Sequence, residues 1–157
     1  MNEKANILIV DDEEVVRLSH RRSLASMNCN TQVAEDGASA LQFMEEQAFD
    51  VILLDLRMPD LDGMEVLRTV KIRWPDSEVV VITGYPSIES AKEAVRLGAH
   101  NYLAKPLCPD DVVKATNDAM TQKRWALRSD RKGQDEENLA TSRPVSAAIA
   151  FINEERR

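Results

Sequence analysis

Cysteine is scarce in this sequence, long hydrophobic runs are missing, and basic residues are fewer than acidic ones. Cys29 and Cys108 are far apart and too few for a disulfide framework, which is typical of a reducing compartment. No apolar run approaches the ~20 residues of a membrane-spanning helix. The amino terminus also lacks the apolar segment and cleavage site of a secretory signal. We therefore expect a cytoplasmic protein with no membrane association.

The charge balance argues against a nucleic-acid partner. The chain has 20 Lys and Arg against 27 Asp and Glu, a net charge of −7. Binding to a phosphate backbone depends on clustered Lys and Arg. The basic stretch at residues 123–132 is interrupted by Asp130 and followed by further acids, so we interpret it as an exposed helix end. Direct nucleic-acid binding is not expected.

Short apolar runs alternate with helix-length amphipathic stretches along most of the chain. The pattern predicts strands at residues 6–10, 31–35, 51–54, 78–82 and 100–104, and helices at 13–27, 38–47, 64–74, 87–97 and 109–128. Nearly continuous apolar strands separated by helices indicate a parallel sheet that is covered on both faces. We therefore predict a doubly wound α/β domain with five strands and five helices.

The predicted domain covers residues 4–122 and leaves a short remainder. Residues 123–143 are predicted to be a helix extension and a charged linker, because they contain little apolar surface. Residues 144–157 regain helical spacing of apolar residues and are predicted to form a short amphipathic tail. About 35 residues are too few for a winged helix or an ATPase module, so we expect no effector domain.

Polar residues follow four of the five predicted strands. In an open α/β sheet, sites form at the carboxyl ends of the strands, so these residues are expected to meet at one edge. The residues at the strand ends are Asp11, Asp12, Asp55, Thr83, Lys105 and Pro106.

Three carboxylates at one edge repel each other and raise each other's pKa unless a cation lies among them. The expected ligands are all oxygens, with no histidine or thiol nearby in sequence, which favours Mg²⁺. A lysine ammonium and a threonine hydroxyl at the same edge could neutralise an incoming phosphoryl group. Asp55 is the natural nucleophile of such a site.

The segments "ILIVDDEE", "VILLDLRMPDLDGMEVL" and "VVVITGYPSIESAKEAVRLGAHNYLAKPL" resemble the receiver domain of two-component response regulators, over residues ~5–120. The resemblance implies a flavodoxin-like sheet with strand order 2-1-3-4-5. It implies that Asp55 accepts a phosphoryl group from a phosphohistidine of a sensor histidine kinase. Asp12 and Asp11 would hold Mg²⁺ directly and through water, with the Arg57 carbonyl as a further ligand.

The resemblance also implies a conformational switch. Thr83 and Lys105 would contact the phosphoryl oxygens, and Tyr102 would turn inward as the Thr83 hydroxyl moves toward the phosphate. The fourth helix, fifth strand and fifth helix would then present a changed surface to a downstream protein target. A homodimer could form through the same surface or through the extended last helix, which carries Met120, Trp125 and Leu127. Receivers resembling those of σ54-dependent activators dimerise through such a helix.

The resemblance further implies that access to the phosphoryl group depends on Arg57, Gly84 and Tyr85. Gly84 leaves room next to Thr83, whereas Arg57 and Tyr85 are large and could exclude water. We therefore expect slow self-dephosphorylation. Pro106 is expected to follow a cis peptide bond, as is common in the family, which would direct Lys105 inward.

Two further hypotheses stay open at this point. The chain could be the amino-terminal receiver of a larger DNA-binding transcription activator. It could also be a phosphatase-like enzyme, because "DLDG" (60–63) resembles the nucleophile motif of haloacid-dehalogenase-type phosphatases. That motif should follow a buried strand directly, and here a loop with Pro59 comes first, so we interpret Asp60, Asp62 and Gly63 as turn residues. His20 is expected to be a partly buried packing residue.

Overall fold

The computed structural model describes residues 4–132, with side chains described up to residue 123. Five strands form one parallel sheet with the order β2-β1-β3-β4-β5. The strands are β1 (Ala5–Val10), β2 (Cys29–Ala34), β3 (Val51–Leu54), β4 (Glu78–Thr83) and β5 (Asn101–Ala104). The predicted doubly wound α/β fold with order 2-1-3-4-5 is confirmed.

Five helices follow the five strands in turn. They are α1 (Glu14–Ser23), α2 (Gly37–Glu46), α3 (Gly63–Arg73), α4 (Ile88–Arg96) and α5 (Pro109–Lys132). Side chains alternate along each strand, so Leu8 and Val10 face the core beneath α2, α3 and α4, whereas Ile7 and Ile9 face the core beneath α5. Both cores need apolar residues, which explains why the strands read as continuous aliphatic runs.

The first helix is shorter than predicted. We expected it to continue to Met27, but α1 ends at Ser23 and a 3₁₀ turn covers Leu24–Ser26. The Met27 amide donates to the carbonyl of Leu24, three residues back, which tightens the chain and turns it into β2. Leu24 is fully buried in the core beside α5, so its apolar spacing reflected packing of the turn.

The last helix is four residues longer than predicted and ends at Lys132. Lys123, near the middle of α5, forms an ion pair with Asp50 at the amino-terminal edge of the sheet. Trp125 and Leu127 lie in the part of α5 whose side chains are not described. The predicted tail at 144–157 lies outside the described residues. Within residues 4–132, no helix combines the length and hydropathy needed to cross a bilayer.

A matched pair of glycine substitutions tests the packing beside the carboxyl edge of the sheet. A Cβ on Gly63 would lie 2.4 Å from the Leu56 Cα and 2.5 Å from the Asp55 carbonyl oxygen, whereas a Cβ on Gly84 meets only the Lys105 Cδ, at 3.8 Å. We expect Gly63→Ala to lower the free energy of unfolding by about 1–3 kcal/mol, as overpacking does. Gly84→Ala should change it by less than about 0.5 kcal/mol. Urea unfolding of both variants checks this, and equal stabilities would contradict the packing.

Candidate functional site

The site lies at the carboxyl edge of the sheet, where β1, β3, β4 and β5 end. The register of β1 and β3 places Val10 beside Leu54, so the residues that follow, Asp11 and Asp55, leave the sheet side by side. The Asp55 amide donates to the Val10 carbonyl at 2.9 Å, which extends the strand pairing to the carboxylate itself. Parallel pairing therefore brings together acids that are 44 residues apart in sequence.

Asp11, Asp12 and Asp55 form a carboxylate cluster. Each offers one oxygen, and these three oxygens lie within 4.8 Å of one another. Asp11 and Asp55 are buried, whereas Asp12 is exposed at the mouth of the cleft. A group of oxygen ligands with one open side fits Mg²⁺, which binds one or two carboxylates and keeps several waters. The observed donor set is therefore suited to this ion.

Lys105 supplies a positive charge inside the cluster. Its Nζ lies 2.6 Å from Asp11 Oδ2 and 3.5 Å from Asp55 Oδ2. Burial alone would lower the pKa of Lys105, but its hydrogen bond to Asp11 and the charges of Asp11 and Asp55 outweigh that effect, so the pKa is raised. The ammonium therefore stays protonated. The Lys105–Pro106 peptide bond is cis.

Asp55 is hard to ionise in this environment. Burial first, and then the charge of Asp11, raise its pKa to about 6, although Lys105 and a hydrogen bond from the Arg57 amide act in the opposite direction. The predicted repulsion among carboxylates is present, but burial contributes more. A cation next to the Asp55 oxygens, or a reaction that neutralises them, would therefore stabilise the site.

A cleft of about 680 Å³ opens in front of these carboxylates. Arg57 and Tyr85 both line it, and the Arg57 guanidinium stacks over the Tyr85 ring, 4.0 Å from the centroid. Tyr85 is 65% exposed, so the stacked pair lies at the mouth of the cleft. Gly84 also lines the cleft, and the Lys105 stem is 3.8 Å from the position of its absent Cβ.

Thr83 and Tyr102 are buried residues of β4 and β5. Thr83 is buried at the end of β4, and its Oγ1 accepts a hydrogen bond from the Tyr85 amide at 3.1 Å. Tyr102 is fully buried, with its ring inside the core. Its hydroxyl accepts a hydrogen bond from the Ser87 amide and makes a second, short one with Ser90 Oγ, so it contacts the start of α4. The switch role of these two residues stays a prediction.

The loop after Asp55 contains a contact that the sequence did not indicate. Asp60, interpreted as a turn residue, accepts hydrogen bonds from the Gly37 and Ala38 amides at the start of α2, both at 3.0 Å. Asp62 caps α3 through the Met64 amide. Both carboxylates of "DLDG" therefore cap helix ends, which agrees with their interpretation as turn residues and argues against the phosphatase hypothesis.

His20 lies under the site. It is 7% exposed, more deeply buried than the partly buried position expected for it. Burial lowers its pKa, and the nearby Asp11 and Lys105 have opposing effects. The lowered pKa favours the neutral ring, which agrees with the packing role expected for His20.

The fold and the site together define a class of protein: a flavodoxin-like domain with an acidic, lysine-containing cleft at the carboxyl edge. A family model described as the response regulator receiver domain matches residues 7–117. The chain belongs to this family of two-component systems, in which phosphorylation and Mg²⁺ binding are characteristic.

Individual relatives agree with this assignment. The alginate biosynthesis transcriptional regulatory protein AlgB of Pseudomonas syringae pv. tomato is 34% identical over 113 residues, which cover 72% of this chain and 25% of AlgB. The regulatory protein LuxO of Vibrio cholerae is 33% identical over 143 residues, covering 90% of this chain and 31% of LuxO. The chain thus spans between a quarter and a third of the length of these curated relatives.

A solved structure shows the same fold over nearly its full length. The CheY-like response regulator receiver domain protein from Methanospirillum hungatei JF-1 superposes with a TM-score of 0.75 at 26% identity. The match covers 78% of this chain and 98% of that protein. The part of the chain that the structure describes therefore has the size and shape of one receiver.

The raised pKa of Asp55 predicts the effect of Asp55→Asn on stability. The folded-state pKa of about 6 lies above the ordinary value of 3.8, so folding favours the protonated carboxyl, and stability falls as the pH rises from about 4 to 6. The neutral amide avoids this cost. In chelator-containing buffer at pH 7.5, we expect Asp55→Asn to be more stable than the wild type by on the order of 2 kcal/mol.

The difference should shrink toward zero as the pH falls well below 3.8, because the wild-type carboxyl is then protonated in both the folded and the unfolded state. Urea unfolding at pH 7.5 and at such an acidic pH measures the difference. Asp12→Asn is the control, because Asp12 is exposed and its amide should stabilise the protein less. A less stable Asp55→Asn variant at pH 7.5 would contradict the assigned electrostatics.

Proposed function

We propose that this protein is a phosphorylatable receiver that accepts a phosphoryl group on Asp55 from a sensor histidine kinase. The observation that carries the proposal is the placement of a buried Asp55 between two further carboxylates and the Lys105 ammonium, in a cleft open to solvent. The family assignment supports the same chemistry.

The residues around Asp55 have distinct parts in the proposed transfer. An Asp55 oxygen forms a bond to phosphorus as the bond from phosphorus to the kinase imidazole breaks. Mg²⁺, when bound by Asp11, Asp12, Asp55 and the Arg57 carbonyl, would neutralise charge on the phosphoryl oxygens. Lys105, already 3.5 Å from Asp55, would pair with one of these oxygens, and the Thr83 hydroxyl with another.

The proposed output surface is formed by α4, β5 and α5. Tyr102 would connect this surface to the cleft. Its hydroxyl contacts the start of α4, and its own strand β5 pairs with β4, which ends at Thr83 beside the cleft. A downstream protein target would respond to a change in this surface, and a homodimer through it or through the extended α5 belongs to the same proposal. We also propose that the protein is cytoplasmic and does not bind nucleic acid directly.

One observation favours an alternative context for the same receiver. AlgB is named a transcriptional regulatory protein, and the match covers 25% of its length. The chain could accordingly serve as the receiver part of a larger DNA-binding transcription activator, with the output surface acting on attached domains. Phosphorylation of Asp55 is common to both contexts.

Treatment with acetyl phosphate and Mg²⁺ tests the proposed acceptor. Intact mass should increase by about 80 Da, the mass of one phosphoryl group. Asp55→Asn should show no increase, because an amide is not a nucleophile of this kind, and chelation of Mg²⁺ should prevent the increase in the wild type. A folded wild-type protein that gains no mass, or an Asp55→Asn variant that gains it, would contradict the proposal.

The Arg57–Tyr85 pair predicts a long-lived phosphoryl group. The two side chains line the cleft and stack on each other, so they would limit the approach of water to phosphorus. We expect Tyr85→Ala to accelerate loss of the 80 Da adduct by about 10-fold, equivalent to roughly 1.4 kcal/mol. Tyr85→Phe keeps the ring over Arg57 and should stay within about two-fold of the wild type. Loss of the wild-type adduct within seconds in Mg²⁺ would contradict this prediction.

A further inference from the structure

The loop that joins β3 to α3, residues 56–62, carries groups that the site depends on. The Arg57 amide donates a hydrogen bond to Asp55 Oδ1 at 3.2 Å, and the Arg57 carbonyl is the proposed backbone ligand of Mg²⁺. Met58, Pro59 and Asp62 line the cleft. A small shift of this loop would therefore move an Mg²⁺ ligand and a hydrogen-bond donor of the acceptor carboxylate.

Asp60 attaches the middle of this loop to another element. Its Oδ1 accepts a hydrogen bond from the Gly37 amide and its Oδ2 one from the Ala38 amide, each at 3.0 Å. These amides belong to the first turn of α2, where backbone donors have no partner within the helix and the helix dipole favours a negative charge. Hydrogen bonds from such donors, first of all Ala38, also lower the pKa of Asp60. Two bonds to two oxygens fix both the position and the orientation of the carboxylate.

Close packing beside Asp60 adds to this contact. A Cβ on Gly37 would lie 2.8 Å from the Leu61 Cβ, so the loop passes directly over the start of α2. The two ends of the loop are joined by the Gly63 amide, which donates to the Leu56 carbonyl at 3.0 Å. The loop is thus closed on itself at its base and attached to α2 at its tip.

We propose that Asp60 is a positioning residue for the phosphorylation site: by attaching the β3–α3 loop to the amino terminus of α2, it holds Arg57 in place beside Asp55. The reaction that this serves rests on the function proposed above, whereas the effect on loop order and on Mg²⁺ affinity does not require phosphorylation. A structural link between α2 and the cleft follows, because the Gly37 and Ala38 amides hold the loop through Asp60.

A matched pair of variants separates positioning from simple helix capping. Asp36 also caps α2, through the Ser39 amide at 2.8 Å, but it makes this contact from the loop before α2. Asp36→Ala and Asp60→Ala therefore each remove a cap from the same helix, and only the second detaches the β3–α3 loop. Urea midpoints of both variants, which capping losses should lower, report the structural cost. Amide hydrogen exchange at Arg57 and Gly63, measured without metal, reports the order of the loop.

The functional readouts are an Mg²⁺ titration followed by amide NMR shifts and the rate of phosphorylation by acetyl phosphate. We expect Asp60→Ala to weaken Mg²⁺ binding by about 10-fold, as when a group that orients a metal ligand is removed, and to speed exchange at Arg57. Asp36→Ala should stay within about two-fold of the wild type in both measurements. Phosphorylation of Asp60→Ala should approach the wild-type rate when Mg²⁺ is raised in proportion.

Asp60→Asn provides a second test in case Asp60→Ala does not fold. The amide keeps one acceptor oxygen, but its NH₂ group faces an amide donor of α2, so one of the two bonds is lost and an intermediate affinity is expected. Unchanged Mg²⁺ affinity in both Asp60 variants, or equal losses in Asp36→Ala and Asp60→Ala, would overturn the positioning role. A wild type that binds Mg²⁺ but gains no phosphoryl group would contradict the proposed function instead, and the affinity comparison would still decide the role of Asp60.

Discussion

The pairing of β1 with β3 is the constraint on which the site depends. It places two buried carboxylates next to each other at the edge of the sheet, an arrangement that costs free energy unless positive charge compensates it. Lys105 provides part of this compensation from within the cluster, at 2.6 Å from Asp11 and 3.5 Å from Asp55. The raised pKa of Asp55 shows that the compensation is incomplete. The residual negative charge would favour binding of a cation, and it would also favour a reaction that neutralises the Asp55 carboxylate.

Much of the surrounding structure keeps this cluster in place. Gly63 allows α3 to approach the Asp55 carbonyl more closely than any side chain permits. Asp60 and Asp62, four and six residues beyond Leu56, hold the starts of α2 and α3. The three acids that follow β3 therefore have separate roles. Asp55 faces the cleft, whereas Asp60 attaches the loop to α2 and Asp62 caps α3. Tyr102 connects the same region to α4 through Ser87 and Ser90.

The sequence predicted the elements whose cause is local. The aliphatic runs of the strands follow from burial on both faces, and the rule that sites form at strand carboxyl ends was enough to group Asp11, Asp55 and Lys105. The partner of Asp60 could not be predicted, because the contact joins residues 22 and 23 positions apart and has no periodic signal. The predicted end of α1 was wrong, because Leu24 has helical spacing but lies in a 3₁₀ turn whose side chain packs into the core. The inward position of Tyr102 also depends on tertiary packing around its ring.

Binding of trifluoroberyllate tests the central claim, that the Asp55 carboxylate accepts a tetrahedral phosphoryl group beside Mg²⁺ and Lys105. This anion completes its tetrahedral coordination with a carboxylate oxygen and so takes the shape of an acyl phosphate. The account predicts new ¹⁹F NMR resonances of bound fluoride when the protein, Mg²⁺, beryllium and fluoride are mixed, and none with Asp55→Asn. Wild-type protein without these resonances, or the same resonances in the Asp55→Asn variant, would contradict it.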